Sequence, residues 1–187
     1  MSNTIEMLKK YVPYDEQEEK DVQFFIDCEN LEQILTRDNE RCHLTSSAFV
    51  LNKDWTKVLC IYHNIYNSWS WVGGHADGDD DMIYVAKKET AEETSLKNFK
   101  VVLEKPIAVD SLPVKGHVKR GKYVPAHIHL NVTYLLEADE NELIKIKEDE
   151  NSNIAWLSFD ELIERCTEEH MIPVYKKIVK RIYEMKK

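Results

Sequence analysis

"KKETAEETSL", residues 87–96, decides how this chain is read. It carries glutamates at positions 89, 92 and 93. On a helix those spacings put Glu89, Glu92 and Glu93 on one face. At the helical period that face continues a stripe begun by Met82, Val85 and Ala86 and followed by Leu96. An apolar stripe normally faces the core. One that turns into carboxylates halfway along poses an energetic problem. Like charges one turn apart destabilise a helix by a few tenths of a kcal/mol per pair. Acids near its C-terminus oppose the helix dipole at roughly 0.3–1 kcal/mol each. Burying any of them unpaired costs several kcal/mol more. A solvated acidic face balanced by Lys87, Lys88 and Lys97 is one resolution. A bound divalent cation is the other, and it removes all three costs together. Carboxylate oxygens with no nearby cysteine favour Mg²⁺ or Mn²⁺ over zinc.

Outward from this stretch, hydrophobic spacing predicts the other elements. The helix itself is expected from about Asp80 to Thr94, with Asp79 and Asp80 suited to cap its start. Before it, "LTSSAFVLN", "TKVLCIY" and "WSWV" are short runs rich in β-branched and aromatic residues, and the last is expected to stop at Gly73-Gly74. After it, "FKVVLEKPIAV", "AHIHLNVTYLLEA" and "IAWLSF" read as strands, followed by closing helices in "FDELIERC" and "PVYKKIVKRIYEMKK". Residues 1–40 read as helical, with Val22, Phe25, Ile26, Leu31, Ile34 and Leu35 at roughly helical spacing. The order helix, strands, helix, strands, helices gives an α+β or mixed α/β class. There is no internal repeat.

Composition bounds the function. The 187 residues, 43% hydrophobic, suit one soluble globular domain. A net charge of −9 argues against a general nucleic-acid polymer or anionic-membrane binder. It leaves room for a small phosphorylated ligand held by a local basic patch or a metal. Cys28, Cys42, Cys60 and Cys166 are scattered without a C-x-x-C pair, as expected for free thiols in a reducing compartment. No apolar run approaches a membrane span, and "MSNTIEMLKK" lacks a signal-peptide layout, so a cytoplasmic location is expected.

The segment "GGHADGDDDMIYVAKKETAEETSL" resembles the box that defines the Nudix hydrolases, G-x5-E-x7-R-E-U-x-E-E-x-G-U with U apolar. Gly74 matches the first glycine, Glu89, Glu92 and Glu93 match the acidic core, and Leu96 matches the closing apolar residue. Asp80 stands where the first glutamate is expected and Lys88 where the arginine is. Lysine keeps the charge but loses the bidentate fork. Thr90 and Ser95 depart from an apolar residue and a glycine. "HLTSSAFVLN…KVLCIY" looks like the family's opening hairpin, and "IAWLSFDEL" like the Trp-containing strand and helix start that follow, so the resemblance covers residues 43–168.

The resemblance implies a Nudix-type α/β/α sandwich over residues 42–187, with residues 1–41 as an N-terminal helical extension serving as a lid or as a surface for a second copy of the chain. It implies hydrolysis of a small nucleoside diphosphate-linked molecule or another organic diphosphate, water attacking phosphorus with Mg²⁺ or Mn²⁺ bound. Glu89, Glu92 and Glu93 would be the metal ligands, with the carbonyl of Gly74. One of them, or Glu150, would be the base. Asp80 and Lys88 would support the set. His75, His127, His129, Lys119, Arg120 and Lys122 are the substrate-side candidates, the lysines and arginine on an expected loop. In "AHIHLNVT", His127, His129, Asn131 and Thr133 share one strand face, which either lines the groove or meets solvent. Tyr62, His63, Trp69 and Trp71 could stack a ring or simply fill the core. Two rival readings are a Nudix-like sensor that binds without turnover and a diphosphate isomerase. The isomerases of this fold carry a cysteine in the strand entering the box, and "WSWVGGH" has none.

Overall fold

A computed structural model describes residues 3–119, 121–147 and 151–187. Two N-terminal helices, α1 (Asn3–Leu8) and α2 (Glu16–Asp27), precede strands β1 (Cys42–Asn52), β2 (Lys57–His63), β3 (Ser68–Ser70) and β4 (Val72–His75). Helix α3 (Met82–Thr94) follows, then β5 (Phe99–Val101), β6 (Ala108–Val114), β7 (His117–Lys119), β8 (Lys122–Val124), β9 (His127–Ala138) and β10 (Asn151–Ser158). Helices α4 (Phe159–Arg165) and α5 (Met171–Met185) close the described chain.

The main sheet is mixed, in the order β10-β2-β1-β9-β5, with β3 on β2, β4 on β1 and β6 on β9. Strands β1 and β9 run parallel at its centre, from Cys42 opposite Ile128 to Asn52 opposite Ala138. Helices cover both faces. Ile5 of α1, Phe25 of α2 and Val85 of α3 pack with Leu44, Val50, Leu130 and Val132. Leu162 of α4 and Tyr175 and Ile178 of α5 pack with Phe49, Leu51 and Leu135 from the opposite face. This is the expected sandwich. The second face of β1 and β9 opens polar, with His43, Thr45 and Ser47 beside His129 and Asn131, and turns apolar only at Phe49 and Leu135. That polar half is the floor of the site.

Local differences from the sequence reading have physical reasons. The N-terminal helix ends at Asp27, runs through a 3₁₀ turn (Cys28–Asn30), and gives way to turns. Gln33 takes a left-handed φ of 59°, and the carbonyls of Ile34 and Leu35 accept the amides of Leu44 and Gly78 instead of helical partners. Strand β4 continues through Gly73 and Gly74 to His75 because the glycines let its backbone lie close against β1 and α3. His117–Lys119 and Lys122–Val124 pair as two antiparallel strands where a loop was expected, and Gly121 before the second takes φ 77°. "FKVVLEKPIAV" divides into β5 and β6, both paired with β9.

A buried ionic network ties the N-terminal helices to the domain. Glu18 of α2 accepts the amide of Val109 at 2.9 Å, and its carboxylate meets Lys177 at 3.5 Å and Arg181 at 3.4 Å. Lys177 also meets Asp110 at 2.5 Å. Burial pushes the Asp110 carboxyl up to about 6 despite the attraction of Lys177. All four cysteines are free and buried. No helix among the described residues is long and apolar enough to cross a membrane.

Candidate active site

Helix α3 begins at Met82 and is capped by Asp81, the residue after the expected Asp79 or Asp80; the Asp81 side chain accepts the amide of Tyr84 at 3.1 Å. Asp80 is used elsewhere. Its carboxylate accepts the amides of Asn3, at 2.5 Å, and Thr4, at 3.2 Å, capping α1 across 77 residues of chain. The departures further along the helix are accommodated in place. Thr90 is fully buried, and its hydroxyl donates to the Ala86 carbonyl at 2.8 Å, so no polar group is stranded. Ser95 is the C-cap in a left-handed conformation, φ 60°, the backbone state that favours glycine.

The acidic end of α3 lies against β4 along a cleft of about 350 Å³. Glu93 is held by two donors, the Gly73 amide and the Asn151 side-chain amide, both at 3.0 Å. These supply the orientation that an arginine fork would otherwise give. Lys88 lines the cleft but forms no ion pair among the described residues. Glu92 is exposed and lies 3.7 Å from Lys147. Glu89 is half-buried and has neither a hydrogen bond nor an ion pair among the described residues. Burial, and then the charge of Glu92, push its carboxyl above the usual range. It sits so close to β4 that a Cβ on Gly74 would come within 2.6 Å of its Oε2.

The donor chemistry therefore fits a hard cation. Two anionic side chains line the cleft beside an unpartnered half-buried third, and each gains from a bound charge. The three carboxylates share the cleft but are turned to separate neighbours. Glu93 faces β4 and Asn151, Glu92 faces Lys147, and Glu89 faces Gly74. Arg37, Lys88, Lys119 and Lys147 line the same cleft. Arg37 grips Asp77 through Nε at 2.9 Å and Nη2 at 2.5 Å. Burial raises the Asp77 carboxyl, but the hydrogen bond and charge of Arg37 outweigh it and hold the group low.

A second cavity of about 290 Å³ adjoins the first. Arg37, His63, Tyr66, His75, Lys119 and His129 line both, so the two form one groove. The polar face of β9 lines this groove instead of meeting solvent. Asn131 accepts the hydroxyls of Thr45 at 2.9 Å and Ser47 at 2.8 Å and donates to Thr133 at 3.0 Å, which fixes the floor. Of the substrate-side candidates, His75, His129 and Lys119 face both cavities, while His127 and Lys122 face only the second. Arg120 and Glu150 lie outside the described residues. Of the four candidate stacking residues, Trp71 and His63 reach the cleft, whereas Tyr62 and Trp69 pack edge-to-face on each other. Arg37, His43, Tyr66 and Asn151 were not anticipated. His43 reaches the groove by its parallel register with His129, Asn151 by its bond to Glu93 and Arg37 by its grip on Asp77, while Tyr66 stacks on the neighbouring His63.

A profile of the NUDIX domain matches residues 41–181. The chain belongs to that family. An RNA pyrophosphohydrolase of Pelagibacter ubique is 28% identical over 141 residues, 73% of this chain and 88% of that protein. Among solved structures, an Ap4A hydrolase of C. elegans matches with a TM-score of 0.56 at 15% identity, over 75% of this chain and 98% of its own. An E. coli dihydroneopterin triphosphate pyrophosphohydrolase matches with a TM-score of 0.55 at 13% identity, over 74% of this chain and 95% of its own. At such identities the structural likeness speaks for the Nudix fold.

Proposed function

We propose that this Nudix protein is a Mg²⁺- or Mn²⁺-dependent pyrophosphohydrolase of a small nucleoside diphosphate-linked molecule. The observation that carries the reading is the half-buried Glu89 carboxylate, unpartnered among the described residues and set beside Glu92, Glu93 and the close backbone of Gly74. These residues would hold the metal, which when bound neutralises phosphate charge and lowers the pKa of water. The chain's own residues do the rest. Gly73 and Asn151 fix Glu93. Lys88, Lys119 and Lys147, which line the cleft, offer positive charge to the diphosphate. Tyr66 and the histidines shape the adjoining end for the remainder of the substrate. One of the α3 carboxylates, or Glu150, takes the proton from the attacking water.

The name of the Pelagibacter relative favours a second reading, removal of pyrophosphate from a triphosphorylated RNA 5′ end. The net charge of −9 weighs against long contact with a polyanion. A screen with Mg²⁺ and Mn²⁺ against nucleoside diphosphate compounds and a 5′-triphosphorylated oligoribonucleotide separates the two. Turnover of at least one small diphosphate at a higher kcat/KM than the RNA supports the first reading, and the reverse order supports the second. Binding of a small diphosphate with no hydrolysis of anything would favour a sensor.

A further inference from the structure

Six of the seven histidines line the second cavity, a concentration that diphosphate hydrolysis by α3 does not account for. The sheet register brings three together. Parallel pairing sets His43 of β1 opposite His129 of β9. Antiparallel pairing sets His75 of β4 opposite Thr45, two residues along β1. One ring nitrogen from each of His43, His75 and His129 lies within 4.8 Å of the other two.

The hydrogen bonds fix which nitrogens carry lone pairs. His43 Nδ1 lies 2.9 Å from the Asn39 carbonyl, which only accepts, so this nitrogen bears the proton. The lone pair is then on Nε2, which is buried and has no hydrogen-bond partner among the described residues. His43 as a whole is only 3% exposed. His127 Nδ1 likewise donates to the Pro125 carbonyl at 2.9 Å. With Nδ1 as the donor, the lone pair of His127 falls on Nε2, and the group 3.2 Å away is His129 Nε2. That leaves His129 Nδ1 as its free lone pair. A ring held by a backbone carbonyl through one nitrogen, with the other bare, is the arrangement in which metal-binding histidines are oriented. If the cluster were simply a packed core, the buried Nε2 of His43 would carry an uncompensated desolvation cost of about 1–3 kcal/mol.

We propose that His43, His75 and His129 form a binding site for a borderline-soft divalent cation of the Zn²⁺ and Co²⁺ class, separate from the carboxylates of α3. All three donors are imidazole nitrogens, which suit these ions and disfavour Mg²⁺. Metal–nitrogen bonds of about 2.0–2.1 Å need the three nitrogens roughly 3.3 Å apart. His75 and His129 also line the cleft in front of α3, so the fourth position of a tetrahedral ion opens on the groove and takes water or a substrate oxygen. The site stands whichever diphosphate is cleaved.

The test titrates Co²⁺ into metal-free full-length protein, follows its visible d–d absorption, and measures Zn²⁺ affinity by calorimetry. One strong equivalent with a tetrahedral cobalt spectrum is expected. His43→Gln and His129→Gln should each weaken it at least tenfold, while Glu92→Gln leaves it intact. Long-range ¹H–¹⁵N spectra of the imidazoles in the wild-type protein give a readout independent of whether variants fold. One equivalent of Zn²⁺ should shift the ring nitrogens of three histidines and leave that of His170 in place. Affinity unchanged in both histidine variants, affinity lost in Glu92→Gln, or ring nitrogens unmoved by Zn²⁺ would each overturn the site.

Discussion

Alanine at Gly74 and at Gly73 should fail in different ways. Neither glycine has a positive φ, so their role is close approach, not backbone conformation. At Gly74 the added methyl would lie 2.6 Å from Glu89 Oε2. Glu89 Cδ would lie closer still, so the carboxyl end must retreat by about 1 Å to regain an ordinary contact of 3.4 Å. A side-chain end with no partner among the described residues retreats at little cost, and losing glycine from a strand interior returns about 0.5–1 kcal/mol. Stability should hardly change. A ligand displaced by about 1 Å, however, costs on the order of 10²-fold in rate, equivalent to about 2.7 kcal/mol of barrier. At Gly73 the methyl would instead meet the backbone of β1, 2.7 Å from the Ser46 carbonyl oxygen and 2.8 Å from Ser47 Cα. The central strand cannot yield, and overpacking of this kind costs about 1–3 kcal/mol. Thermal unfolding and Mg²⁺-supported kcat measured on both variants distinguish the cases. Gly74→Ala should keep its Tm and lose about 100-fold in kcat, and Gly73→Ala should lose several degrees. Wild-type kcat in Gly74→Ala would show that Glu89 does not work against this stretch of β4.

Three further outcomes follow from the same contacts. Ser95→Gly relieves the left-handed C-cap of α3 and should gain about 1 kcal/mol, or roughly 2–4 °C in Tm by calorimetry. Lys177→Met leaves Asp110 and Glu18 buried without that ammonium, and chemical denaturation should show a loss of about 3–5 kcal/mol. Burial, followed by the positive charge of Arg37, depresses His75 to about 3, and burial also lowers His43 and His129. Between the unfolded value of about 6.5 and these folded values the unfolded chain binds more protons, so stability rises with pH across that window and is lost as pH falls. At pH 5 His75, kept neutral, should cost about 2 kcal/mol relative to pH 7 and above, and His43 and His129 act in the same direction. A Tm that holds steady from pH 7 to pH 5 would contradict this, and His75→Gln should flatten the slope.

The sequence disclosed what local periodicity can disclose. Helix α3 shows its acidic stripe within a single 13-residue element, and the spacing from Gly74 to Leu96 needs no tertiary knowledge. The strands of the main sheet were legible as β-branched runs between turn residues. Partnership across the chain was not. Nothing near Asp80 announces that it caps α1, and nothing near Asn151 announces that it orients Glu93, 58 residues earlier. His43 looked like an ordinary polar residue at a strand start because the parallel register with His129 joins segments 86 residues apart. The glycines of β4 were read as a stop, when their missing side chains are what let the strand pass between β1 and α3.

Glu92→Gln offers the most direct test of the catalytic reading. Glu92 is exposed, and its ion pair among the described residues, to Lys147 at 3.7 Å, is worth about 0–1 kcal/mol at most, so the fold should not notice the change. The measurement is the Mg²⁺-supported rate of diphosphate cleavage in wild-type and Glu92→Gln protein, with Tm recorded on the same samples. A fall of at least two orders of magnitude, about 2.7 kcal/mol of barrier, with an unchanged Tm is the expected result. Equal rates in the two proteins would contradict the claim that the carboxylates of α3 hold the catalytic metal.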